Sequence, residues 1–243
     1  MSPEIRIDRR FCGPPDSGNG GYACGLVAAH VDGPAEVTLR SPPPLEKPLR
    51  VEHADDDERV SVVDVDQLVA EGVRRRDEDL GIDVPEPVGI AEAEAAAAAS
   101  HLHEHPEEHP FPTCFVCGPK RAPGDGLDIL VGPVTERAVA AAAWTPAADL
   151  AGADGVVHPE FVWAALDCSG GVGSWLADPV GGNPFVLGRM AVTTDGPVRA
   201  GAPHAVVGWR AAQVGRKVTA GSAIFTADGE LAGRARATWI QLA

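Results

Sequence analysis

Positive charge is scarce in this chain. Lys and Arg number 20 against 35 Asp and Glu, which leaves a net charge of -15 at pH 7 with His neutral. A surface so biased towards acid does not suit a general polyanion, so nucleic acid is not an expected partner. Long apolar runs are missing too: nothing approaches the roughly 18 residues that a membrane span requires. The opening MSPEIRIDRR has no apolar h-region, so neither a membrane association nor a secretory leader is expected. Cysteines number five; the odd count does not suit a disulfide framework, and reduced thiols in a cytoplasmic protein are the expectation. With 44% hydrophobic residues over 243 positions, the chain can bury a sizeable core as one large or two small domains. Alanine, glycine, valine and proline are abundant throughout as a compositional bias, so alanine tracts carry little structural information.

Element order suggests two halves. Residues 1–76 hold EIRIDRRF, the glycine-rich SGNGGYACGLVAAHV, the strand-like AEVTLRS and PLRVEH around the turn-rich PPPLEK, and the run RVSVVDVDQLVAEGV. In that last run the valine alternation slips phase after Val62, which suggests a bulge. Residues 77–113 are charged and proline-punctuated, with a short helix expected near Ile90 to Ser100, and form the linker candidate. Residues 114–243 resume with the strand pair GLDILVGPV and RAVAAAAWTP, a helix in HPEFVWAALDCSGGVGSWLA, and the strands FVLGRMAVTTDGPV, HAVVGWRAAQV and KVTAGSAIFTADGELAGRARATWIQL. In the last of these Asp228-Gly229 marks a hairpin. Each half therefore reads as a strand, one helix after a glycine- or turn-rich entry, and several antiparallel strands. The simplest burial for that pattern is an α+β architecture of helices packed on curved antiparallel sheet.

Charge is absent from the second-half helix between Glu160 and Asp178 except for Asp167. With Pro159 in the first turn, where a missing N–H costs nothing, Asp167 shares a face with Glu160, Trp163, Ala164, Gly170 and Gly171. That face is made largely of small residues, so another backbone or a ligand can approach the carboxylate closely. The opposite stripe, Phe161, Ala165, Cys168 and Val172, is the expected sheet contact. A buried carboxylate is costly unless it is paired. Two roles fit: a hydrogen-bonded structural group, or a catalytic base or nucleophile beside a cleft.

The string from His158 to Gly171 resembles the hotdog-fold thioesterases, whose helix commonly opens His-Gly-Gly and carries an acid nine positions after the histidine; His158 and Asp167 have that spacing. NGGYACGLVAA followed by VTLRSPPPLEKPLRV is similar to the first half of double-hotdog acyl-CoA thioesterases. The resemblance covers most of the chain outside 77–113 and implies a double hotdog, two curved antiparallel sheets each wrapped on a central helix. It departs from the family pattern in both halves. Nine positions after Asn19 stands Ala28, so the first half lacks the acid, and Pro159 replaces the glycine whose N–H polarises the thioester carbonyl.

In such dimers the acid and the polarising glycine come from different partners, and a double hotdog fuses them. The resemblance therefore implies one composite site, with Asp167 as the carboxylate and Gly20 and Gly21 as N–H donors, hydrolysing acyl thioesters by attack of water or of the carboxylate itself. Asn19, His158 and Ser169 are the candidate partners for the attacking water, His158 chiefly as a helix-entry positioning residue. Arg216 and Lys217, in the link QVGRKV, and Arg199 are candidates for CoA phosphates, although turn and edge-strand charges of this kind ordinarily guard against aggregation. The alternatives are a noncatalytic acyl-ligand binder or scaffold with a decayed site, and a hotdog hydratase or dehydratase. Pairing of two copies into a homodimer is left open.

HLHEHPEEHPFPTCFVCGP brings His101, His103, His105 and His109 near Cys114 and Cys117. A strong zinc signal needs two well-spaced ligand pairs, and only one is present. The expectation is a solvated linker followed by a turn of small buried cysteines, with no metal and no cofactor. Trp144, Trp163 and Trp209 are expected in the core.

Overall fold

The computed structural model describes residues 3–55, 58–76, 79–177 and 184–242. The N-terminal half contains β1 (Glu4–Arg6), α1 (Gly20–Ala28), β2 (Ala35–Leu39), β3 (Pro48–His53), β4 (Arg59–Asp64) and β5 (Gln67–Arg74). Then follow α2 (Ile90–Ala98) and α3 (His101–Glu104). The C-terminal half contains β6 (Gly132–Pro133), β7 (Ala140–Trp144), α4 (Pro159–Ala177), β8 (Phe185–Thr194), β9 (His204–Val214), β10 (Lys217–Thr226) and β11 (Leu231–Gln241).

All the strands form one antiparallel sheet in the order β1-β3-β4-β5-β2-β8-β11-β10-β9-β7-β6. The halves join where β2 pairs with β8, Val37 opposite Met190. In each half this is the first strand after the long helix, so the joint brings α1 and α4 to the same place. The helices pack tightly: a Cβ on Gly25 would come within 2.6 Å of Glu160 Cα. Glycine at this point permits a backbone-to-backbone approach that any side chain would block.

The run RVSVVDVDQLVAEGV is a hairpin of two strands, β4 and β5. Val65 sits at its turn with φ 57° and is 73% exposed, and a register shift falls between Val62 and Val63. The phase slip thus reflects a bulge and a turn together, the turn being formed without the glycine that normally announces one. The hairpin at Asp228-Gly229 forms as its dipeptide suggests, with Gly229 at φ 81°. GLDILVGPV yields only the two-residue β6, because Leu127 and Ile129 donate instead to Phe115 O and Val116 O.

The expected sheet contact of α4 is corrected by the structure. The face that meets the sheet carries Gly170, near Ala220 and Gly221, and Gly173, near Gly208. Ser169 O also lies so close to Gly208 that a Cβ there would overlap it. Phe161, from the stripe expected on the sheet, joins Phe11, Tyr22 and Phe115 in an aromatic cluster, with Phe11 and Tyr22 stacked at 4.3 Å. Periodicity identified the two faces, but small residues permitted the closer sheet approach and the bulkier stripe filled the space opposite.

Segment 77–113 has α2 where the sequence places a helix. Its Ala93 and Ala96 pack with Val88 against Ala141, Ala205 and Val207. Trp144, Trp163 and Trp209 are all buried.

Candidate functional site

The site forms where the N-terminus of α1 meets the middle of α4. Asn19 caps α1, its Oδ1 accepting the Tyr22 N–H at 2.9 Å. This bond leaves the amide Nδ2 to point away from the helix, where it donates to Asp167 Oδ2 at 3.3 Å. The Gly21 N–H donates to the same oxygen at 2.8 Å. The first N–H groups of a helix have no intrahelical acceptor and favour negative charge, so α1 is itself part of the environment of Asp167.

Asp167 is only 2% exposed, and its Oδ1 has no hydrogen-bond partner. Burial raises its pKa to about 8; the Gly21 N–H pulls it down, negative charge at Cys114 pushes it up, and the Asn19 amide pulls it down again. The carboxyl group is thus anchored through one oxygen while the other is buried without a partner.

Asp167 lies in the wall of a largely apolar cavity of about 640 Å³, lined also by Asn19, Gly20, Leu39, Leu187 and Trp239. The volume lies within the range usual for small-molecule sites. Gly20 is the first residue of α1, so its N–H also lacks an intrahelical acceptor. Gly21 sits behind it against α4: a Cβ there would stand 2.4 Å from Asp167 Cβ and 2.6 Å from Trp163 O.

Of the residues singled out from the sequence, the structure brings Asn19, Gly20, Gly21 and Asp167 together. The others lie elsewhere. His158 is exposed at the start of α4 and is not in the cavity wall. Ser169 is buried, and its Oγ donates to Ala165 O at 2.7 Å. Arg216 and Lys217 are exposed at the β9–β10 hairpin, with Arg216 reaching Gln241 O at 3.4 Å. Neither Ala28 nor Pro159, the pair that would form the second composite site, lines the cavity.

Two residues of the cavity wall, Cys168 and Trp239, have no functional reading from the sequence. Cys168 faces Cys114, their Sγ atoms 3.7 Å apart, and Cys117 completes a buried group of three sulfurs lying within 4.8 Å of one another. Hydrogen bonds from the Cys117 and Cys168 side chains hold the Cys114 thiol well below its ordinary pKa. His109 is buried in the cavity wall; its Nδ1 accepts the Phe111 N–H at 3.1 Å and its Nε2 has no partner. Its three companions are exposed, with His101 bound to Glu108 and His105 to Glu107. Trp239 forms another part of the wall. Only contacts between distant segments select Cys168, and local spacing does not separate His109 from its three exposed neighbours.

No family model matches the chain, and no curated protein is significantly similar in sequence. Solved structures do match. One is a conserved protein of unknown function with a hot dog fold from Alicyclobacillus acidocaldarius, 11% identical, aligned over 99% of this chain and 92% of that one with a TM-score of 0.63. Another is the tesB protein of Mycobacterium avium subsp. paratuberculosis, 12% identical, aligned over 93% of this chain and 88% of that one with a TM-score of 0.57. The chain has a hotdog fold of the α+β class. No helix among the described residues is long and apolar enough to cross a membrane.

Proposed function

We propose that the chain is a double-hotdog protein that hydrolyses acyl thioesters at one composite site. The reading is carried by one observation: Asp167 of the C-terminal half and Asn19 and Gly20 of the N-terminal half line a single cavity. In this scheme Asp167 Oδ1 takes a proton from water, and the resulting hydroxide adds to the thioester carbonyl carbon. The Gly20 N–H stabilises negative charge on the carbonyl oxygen at the positive end of α1. Collapse breaks the C–S bond, and the carboxylic acid returns its proton to the departing thiolate.

Gly21 and Asn19 act as positioning residues, since both donate to the other carboxylate oxygen. The largely apolar cavity accommodates the acyl group. CoA is the proposed thiol portion; Arg216 and Lys217 lie outside the cavity wall and are given no part in holding it.

A noncatalytic acyl-ligand binder is the second reading, and it is favoured by the engagement of Asp167 with two donors already in place. Release of free thiol from a panel of acyl-CoAs separates the two. Turnover of at least one member, lost in Asp167→Asn, supports hydrolysis; saturable binding with no turnover of any member supports the binder.

A further inference from the structure

We propose that Cys114, Cys117 and Cys168 form a thiolate site for a thiophilic divalent cation, of which zinc best fits their chemistry, with its remaining position turned towards the cavity. All three residues line the cavity and all three are buried. Two sulfurs bound at about 2.3 Å on adjacent corners of a tetrahedron lie about 3.8 Å apart. The Cys114–Cys168 separation is 3.7 Å, so this edge already has the required length. The sulfur of Cys117 lies within 4.8 Å of both of the others.

The Asn19 Nδ2 lies 3.9 Å from the Cys114 sulfur and 3.6 Å from that of Cys168. A neutral donor of this kind orients thiolates without cancelling their charge, and a buried charge is costly unless it is paired. A bound cation would cancel it, with the amide acting as an outer partner that fixes ligand sulfurs in place.

The turn is built for this arrangement. A Cβ on Gly118 would lie 2.4 Å from Cys114 N and 2.5 Å from Cys114 O, so only glycine allows the chain to fold back and bring both cysteines to the same side. Cys168 then arrives from α4, 54 positions beyond Cys114. It supplies the ligand that the isolated Cys-x-x-Cys motif lacks in sequence.

His109 is not the fourth ligand in this geometry. Its Nδ1 accepts the Phe111 N–H, which places the proton of the neutral ring on Nε2 and removes the lone pair a metal would need. All three cysteines line the cavity, so the remaining position is the one a cavity ligand could take. Three protein ligands with an open position are the pattern of a zinc that can meet a ligand, whereas closed structural sites have four.

The proposal concerns metal binding and is independent of thioester hydrolysis. The full chain, purified under reducing conditions without added metal, is analysed for metal content and then, after chelation, titrated with Co2+ alone. Roughly one zinc per chain and a tetrahedral cobalt spectrum with thiolate charge-transfer intensity are expected. Cys168→Ser and Cys117→Ser should each weaken cobalt binding by at least about tenfold, while Cys12→Ser binds as the wild type. The cobalt spectrum of the wild-type chain is informative even if a variant fails to fold. Only trace metal with no thiolate–cobalt band, or a band unchanged in Cys168→Ser, would overturn the proposal. So would a disulfide among the three cysteines in the reduced preparation.

Discussion

Gly21 and Asp167 face each other across the two central helices: the Gly21 N–H donates to Asp167 Oδ2 at 2.8 Å, and a Cβ on Gly21 would stand 2.4 Å from the Asp167 Cβ. The hydrogen bond depends on the missing side chain. An N–H expected to face a substrate carbonyl instead anchors the carboxylate, and Gly20 is left at the cavity.

Gly21→Ala should therefore damage both stability and the site. Its Cβ would meet Trp163 O at 2.6 Å as well as Asp167 Cβ, and backbone cannot swing aside as a flexible side chain can. Overpacking of this kind costs about 1–3 kcal/mol. Gly20→Ala would also be tight, its Cβ standing 2.8 Å from Leu187 Cβ, but its three nearest neighbours are all Leu187 side-chain atoms with no backbone carbonyl among them, so it should unfold at a temperature between those of Gly21→Ala and the wild type. Thermal unfolding of both variants checks the order.

Val65→Asn should stabilise the protein. Val65 holds φ 57° at an exposed turn, a conformation that costs a β-branched residue about 1–2 kcal/mol and that Asn tolerates. In a chain of this size each kcal/mol recovered corresponds to about 2–4 °C in Tm. Calorimetry reads the rise directly; a fall would show that the valine contributes packing at the turn.

His204 should make stability depend on pH. It is 2% exposed, its Nδ1 lies 2.9 Å from Ala202 O, and its ring faces Trp144. Burial lowers its pKa, partly offset by hydrogen bonds at Ala202 and Trp144. The unfolded chain therefore takes up a proton as pH falls through about 6.5, while the folded chain does so only at lower pH. Stability contributed above the unfolded pKa is lost as pH falls towards the folded one. His204→Gln should flatten, without abolishing, the decline in denaturant midpoint from pH 7 to pH 5, because buried His109 has a pKa shift of the same sign.

Phe161→Ala should loosen the junction between the halves. Phe161 packs against Tyr22 of α1 and Phe115 of the segment that carries the cysteines. Loss of a buried phenylalanine typically costs about 3–5 kcal/mol. Hydrogen exchange should increase in α1 and around Phe115 more than in the β10–β11 hairpin; uniform acceleration would contradict a local role.

The sequence made the strands of the C-terminal half legible because they alternate over long stretches and one pair is closed by Asp-Gly. The proline after His158 and the missing acid at Ala28, together with the hotdog resemblance, also pointed from Asp167 to Asn19, Gly20 and Gly21, which the structure brings beside it. The β4–β5 turn was hidden by a valine in a left-handed conformation. Cys168 appeared as a sheet contact because helical periodicity orders residues into faces without saying which neighbour each face will meet. Its partners are more than 50 residues away, and α4 turns its glycines to the sheet and its sulfur to the cavity. His109 was indistinguishable from its exposed neighbours until Phe111 and the cavity wall fixed its place.

The most direct measurement is thioester hydrolysis by the wild type and by Asp167→Asn, with folding monitored in parallel. Asparagine keeps an oxygen to accept the Gly21 N–H and is neutral, as Asp167 mostly is below its pKa of about 8, so its Tm near pH 7 should stay close to that of the wild type. Turnover of the best acyl-CoA should nevertheless fall by at least about 10²-fold, the usual range for removal of a general base. Equal turnover in a folded Asp167→Asn variant, or no turnover of any acyl-CoA by the wild type, would contradict the proposed function.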